Sequence, residues 1–246
     1  MEEKKVLSTD EIKSKLLNDY NQKKSDVIYP YEVVDLPSKG LMYTDEYLST
    51  GQLKMKYPTA KEENILTSVN LIQKNIVIDK FIESIILDPI NFDDLLLVDK
   101  NSLMIDARIL AYGSEYLANG TCPHCSEVKP ITIDLSTTIK FPDLDEELYK
   151  NGNSFTFTLP RLKKVVEFKL LTQGVENQIN EALKKHELNI KKSGNIKQAG
   201  IDISLSLRLK HMISSIDGNT DVTYINNFVD NELLSLDSIE LPFLSG

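Results

Sequence analysis

A chain of 246 residues with 41% apolar and 26% charged side chains has enough material for one large core or two smaller ones and does not have the composition of a disordered segment. Its 28 Lys and Arg stand against 37 Asp and Glu, a formal charge of −9 that argues against a surface built to neutralise phosphates, so nucleic acid is not an expected partner. The opening "MEEKKVLSTDE" is charged where a secretory leader needs an apolar run, and runs such as Leu95 to Val98 are too short to span a bilayer; no membrane partner is expected, and the chain reads as cytoplasmic with reduced thiols.

Residues 1–30 read as an N-terminal helical arm. Ser8 with Glu11 three positions on is a capping-box pattern, and Ile12, Leu16, Leu17 and Tyr20 continue along one helical face. The polar run "NQKKSD" separates this stripe from the rest of the chain, so the helix either folds back on its own chain or docks on another subunit.

Residues 31–150 read as a mixed α/β domain. "YEVVDLPSKGLMY" places Pro37, Ser38 and Gly40 between short apolar runs, the chemistry of a hairpin or tight loop, and Leu53 to Tyr57 alternates as a strand does. Thr59 and Glu62 form a second capping box, opening a helix with Ile65, Leu66, Val69 and Ile72 at helical spacing. Further helices are predicted over "VIDKFIESIIL" and, from a cap near Asn101 to a stop at Gly113, over "NSLMIDARILAYG".

The next segment, "LANGTCPHCSEVKPITIDL", carries the chain's two cysteines, Cys122 and Cys125. A thioredoxin-type redox pair needs its nucleophile at a helix N-terminus, whereas Pro130 and the β-branched residues after the pair favour a strand. The context suits a Cys-x-x-Cys hairpin, with Tyr116 to Ala118 and Ile131 to Leu135 as arms, that is either a metal-free turn or a zinc knuckle. A closed zinc site needs about four ligands. His124, His186, His211 or carboxylates are the candidates to complete it within the chain, and a second copy sharing the metal is the other route.

Residues 151–246 read as a hairpin with helices after it. "SFTFTLP" and "KVVEFKLL" alternate on either side of "RLK", placing Phe155, Phe157 and Leu159 on one side and Val166, Phe168 and Leu170 on the same side of the partner strand. Helices are predicted over Val175 to Leu188, Ile201 to Ile216 and Val222 to Leu234. The basic run from Lys184 to Lys197 is a solvated helix end and loop, or a surface that meets an acidic partner. The fold class is thus α+β. No phosphate-cradling glycine loop, His-Glu-x-x-His or Gly-x-Ser-x-Gly motif occurs, so no catalytic residue is assigned.

Taken in order from about Val33 to Ile179, "DLPSKGLMY", "YPTAKEENILTSVNLI", "LLLVDKNSLMIDARILAYGSEY", "CPHC" and "FTFTLPRLKKVVEFKLLTQGVENQI" resemble the baseplate-hub proteins of T-even-type contractile-tail bacteriophages. The resemblance implies protein–protein binding in tail assembly, as a structural subunit of the central hub or as an assembly chaperone that promotes hub formation. It places the chain in the host cytoplasm during assembly and in the virion tail baseplate. Expected partners are other hub or wedge proteins, with a homo-oligomer as a further expectation. The anchors expected for binding are Ile12, Leu16, Leu17 and Tyr20 on the arm and Leu36, Leu41 and Tyr43 in the turn. Some relatives in that family carry a fuller cysteine set than the single pair here, which bears on zinc and not on assembly. The alternative reading is a small zinc- or thiol-dependent protein using Cys122 and Cys125.

Overall fold

The computed structural model describes residues 29–138, 149, 151–193 and 202–241, and its architecture is α+β, with small antiparallel sheets among short helices. Strand β1 (Tyr31–Asp35) pairs with β2 (Gln52–Lys56) in a register running from Tyr31 opposite Lys56 to Asp35 opposite Gln52. The intervening loop folds back onto itself at two glycines. Gly40 has φ +76°, and an added Cβ would lie 2.4 Å from the Ser49 carbonyl oxygen; Gly51 has φ +73° and would meet the Lys39 backbone at 2.7 Å. Only glycine allows both the left-handed backbone and that approach.

The second capping box forms as the sequence predicts: Glu62 Oε2 accepts from the Thr59 N–H at 2.9 Å, opening α1 (Ala60–Leu66). The helix predicted to continue through Ile72 is broken, however, and a separate α2 (Val69–Gln73) succeeds it. The Thr67 hydroxyl donates to the carbonyls of Glu63 and Asn64, and Ser68 turns extended, so local side-chain bonds displace the helical ladder. Helix α3 (Val77–Ile85) buries Phe81, Ile82 and Ile85. Helix α4 (Leu97–Tyr112) starts ahead of the predicted Asn101 and stops at Gly113, whose N–H reaches the Ile109 carbonyl. Its early start belongs to Asp99, an acid in the first turn that complements the helix dipole while accepting the Ser38 N–H of the β1–β2 loop.

Strands β3 (Glu115–Thr121) and β4 (Val128–Asp134) form an antiparallel hairpin that pairs with no other strand among the described residues, with the short helix α5 (Leu135–Thr138) after it. Beyond residue 150, β5 (Phe155–Thr158), β6 (Val165–Phe168) and β7 (Ile213–Ile216) make a sheet in that order. Its helices are α6 (Gln173–Ser193), α7 (Ser204–Met212), α8 (Val222–Asn231) and α9 (Ser235–Ile239). The helix predicted from Ile201 to Ile216 therefore ends at Met212. Ile213–Ile216 instead pairs with β6, where β-branched residues fit a pleated sheet and Ile213 and Ile216 reach the core. Val166 and Phe168 are buried as predicted, but the alternation ends at a bulge after Glu167, leaving Leu170 half-buried and Leu171 buried.

One apolar cluster gathers Leu36, Leu53, Met55, Ile82, Ile85 and Leu103, and another gathers Leu159, Val166, Ile216, Ile225, Phe228 and Leu241. Backbone bonds join their segments: the Leu97 N–H donates to the Leu171 carbonyl at 3.0 Å, and the Gln173 N–H to that of Leu95 at 2.8 Å.

Candidate functional site

The turn holding Cys122 and Cys125 closes the β3–β4 hairpin. The Cys122 N–H donates to the Glu127 carbonyl at 2.9 Å, and the Ser126 N–H returns to the Cys122 carbonyl at 2.9 Å. Ser126 takes φ +55°, the left-handed conformation that such a tight closure imposes. Both thiols are free, with Cys122 half-buried and Cys125 exposed. Hydrogen bonds from the backbone of Cys125, then of His124, and from the Cys125 thiol hold the Cys122 thiol below its usual value. The turn lies between strands and not at a helix N-terminus, so it lacks the thioredoxin arrangement.

Among the described residues, no three His, Cys, Asp or Glu side chains come together to hold a metal. His124 stays in the turn, His186 lies on α6 and His211 on α7, so residues that are merely present in the sequence are distributed over separate elements.

The arm anchors Ile12, Leu16, Leu17 and Tyr20 lie outside the described residues. Of the turn residues, Leu36 is 2% exposed within the first apolar cluster, Leu41 is half-buried, and Tyr43 packs against that cluster. Tyr43 donates its O–H to Asp99 Oδ2 and accepts the Leu96 N–H at 2.9 Å. Asp99, fully buried, also accepts the Ser38 N–H at 2.9 Å. Burial raises the Asp99 carboxyl above its usual value, opposed by the bonds from Ser38 and Tyr43; burial and then the Asp99 charge push the Tyr43 phenol far up. The loop thus spends Leu36 and Tyr43 on its own core, and less of it faces outward than the composition of "DLPSKGLMY" implies.

Exposed apolar surface appears elsewhere, on the hairpin, where sequence reasoning placed none. Leu117 is 76% exposed and Val128 60%. The register sets Leu117 opposite Thr132 and Val128 opposite Thr121, which puts both on one face; Tyr116 and Ile131 lie on the other. At the hairpin base, Arg108 stacks over the rings of Tyr112 and Tyr116 and donates to the carbonyls of Gly113 and Glu115. The signal that could have found this surface is the mixture of apolar and polar residues on both faces of "EYLANGT", which leaves neither face clearly inward.

A groove of about 520 Å³ runs between α3 and α6, lined among others by Lys74, Asp79, Glu83, Asp93, Gln173, Asn177 and Lys184. Gln173 Nε2 donates to Asp79 Oδ2 at 3.0 Å and Asn177 Oδ1 at 2.9 Å, while Asp79 Oδ1 takes Lys100 Nζ at 2.8 Å. These bonds tie α6 to α3 and α4 and gather no nucleophile with a base.

The fold defines an α+β protein of small antiparallel sheets and short helices, with a two-stranded hairpin that exposes apolar side chains. The chain belongs to the family of T4 bacteriophage base plate proteins, whose family model matches residues 28–237 and so extends the resemblance read from Val33 to Ile179 at both ends. It is a phage baseplate protein. Comparisons with curated proteins and with solved structures return no match. No helix among the described residues is long and apolar enough to cross a membrane.

Proposed function

We propose that this baseplate protein acts in hub assembly by protein–protein binding, as a hub subunit or as an assembly factor. The observation that carries the reading is the family match over residues 28–237. A formal charge of −9 supports protein surfaces over nucleic acid as partners. The binding anchors are Ile12, Leu16, Leu17 and Tyr20, whose spacing makes an apolar stripe ahead of the matched region. Hub or wedge proteins of the same baseplate are the partners, met in the host cytoplasm, and the virion tail baseplate is where a retained subunit resides. No catalytic role is assigned.

The test is the affinity of Leu16→Asp for purified baseplate proteins of the same phage, screened one at a time by calorimetry. A charge in the centre of the stripe weakens binding by about tenfold or more, since desolvating it costs over about 1.4 kcal/mol, while the urea unfolding midpoint stays at the wild-type value. Unchanged affinity for every component bound by the wild type overturns the assignment of these anchors.

A further inference from the structure

The hairpin tip presents two free thiols, with His124 between them and Glu127 after them, and among the described residues these do not form a group of three side chains placed to hold a metal. We propose that Cys122 and Cys125 are one half of a tetrahedral zinc site, completed by the same two cysteines of a second copy docked hairpin to hairpin. The turn is tightly closed: the Cys122 N–H is bonded to the Glu127 carbonyl, the Ser126 N–H to the Cys122 carbonyl, and Ser126 is left-handed directly after the second thiol. This closure keeps both cysteines on one short loop, and zinc in a closed structural site takes about four thiolate or imidazole ligands.

The surroundings of the pair decide where the missing ligands come from. No group of three His, Cys, Asp or Glu forms among the described residues, so the shell they offer within one chain is incomplete. A two-fold axis through the metal turns two ligands into four without asking anything further of the sequence. The rest of the hairpin suits self-association. Leu117 and Val128 share one exposed face, no further strand pairs with either hairpin edge among the described residues, and a two-stranded hairpin alone is marginal in water. Glu127 and Lys129 put one acid and one base beside the tip, 3.2 Å apart, so the contact region is not of a single charge. On assembly four thiols release four protons to solvent as four Zn–S bonds form, with no oxidation or reduction.

The experiment is a titration of the full-length, reduced, metal-free chain with zinc sulfate, monitoring mass by light scattering, and a parallel titration with cobalt(II), monitoring thiolate-to-metal charge-transfer absorption. The expected result is a doubling of mass and a spectrum of four-thiolate coordination, both saturating at half a metal per chain and both lost in the Cys122→Ser, Cys125→Ser variant. Saturation at one metal per monomeric chain overturns the proposal, because the chain would then complete its own shell. So does mass that stays unchanged, a dimer that survives chelation, or metal uptake that needs a different baseplate protein. The wild-type stoichiometry decides the matter even if the serine variant fails to fold.

Discussion

Replacing Tyr43 by phenylalanine deletes one oxygen from the loop that covers the first core. That oxygen serves two buried partners, donating to Asp99 Oδ2 and accepting the Leu96 N–H. Asp99 is 0% exposed, so water does not take over without the loop opening. Leaving a buried polar group unpaired costs about 1–3 kcal/mol, more for a charged one, and partial relaxation of the loop returns some of that, so Tyr43→Phe is expected to destabilise by about 2–4 kcal/mol. Asp99→Ala removes the carboxylate that holds both the Ser38 N–H and the Tyr43 O–H and leaves two buried donors unpaired, at a cost of about 2–5 kcal/mol. Asp99→Asn keeps an acceptor for Ser38 and loses a charge that burial disfavours, so it costs about 1–2 kcal/mol. Urea unfolding measured by circular dichroism reads each difference at constant slope, and a double-mutant cycle of Tyr43→Phe with Asp99→Ala is expected to give a coupling of about 1 kcal/mol or more. A Tyr43→Phe protein within about 0.5 kcal/mol of the wild type would refute the view that this loop is held by a buried network.

Two carboxylates give opposite dependences on pH. Burial of Glu62 acts to raise its carboxyl, but hydrogen bonds from Lys56 and Thr59 outweigh it and hold the group at about 2, so its stabilisation is present above the unfolded value and lost as pH falls towards 2. Glu62→Gln is expected to cost about 2–3 kcal/mol at pH 7 and little at pH 2, read from urea midpoints across that range. Asp106 is pushed up to about 6 by burial, opposed by a bond from Ser102 and reinforced by the Asp35 charge, so its contribution is present below the unfolded value and lost as pH rises through 6. Asp106→Asn therefore stabilises at pH 8, by about 1–2 kcal/mol once its partial exposure is allowed for, and changes little at pH 4. Among the positive-φ glycines, Gly40→Ala meets the Ser49 carbonyl as well as the backbone penalty and is expected to lose about 4 kcal/mol or more, whereas Gly113→Ala meets nothing within 4 Å and loses only the conformational cost of about 1–3 kcal/mol at its φ of +84° and ψ of 170°; thermal unfolding of the two variants separates them.

What could be read along the chain was whatever depends on a few neighbouring residues. Thr59 and Glu62 cap a helix because their side chains and backbone amides lie within one turn, and Gly113 ends one because its backbone tolerates a φ of +84° with a ψ of 170° that other residues rarely adopt. The strand–turn–strand setting of Cys122 and Cys125 and the pairing of Phe155–Thr158 with Val165–Phe168 likewise come from local alternation and turn residues. The family resemblance between Val33 and Ile179 was legible for the same reason, as a series of such local motifs in order.

The tertiary structure decided what depends on residues far apart. Ile213–Ile216 became a strand because the edge of β6 was available to pair with it, a circumstance no window of the sequence contains. Leu97 begins its helix because Asp99 two residues on meets Ser38 and Tyr43, more than fifty positions upstream. The same contacts drew Leu36 and Tyr43 inward, while the hairpin kept Leu117 and Val128 outside. Composition provides the side chains, but burial is a competition among all the apolar surfaces of the chain, and only the packed structure shows which of them are left for a partner.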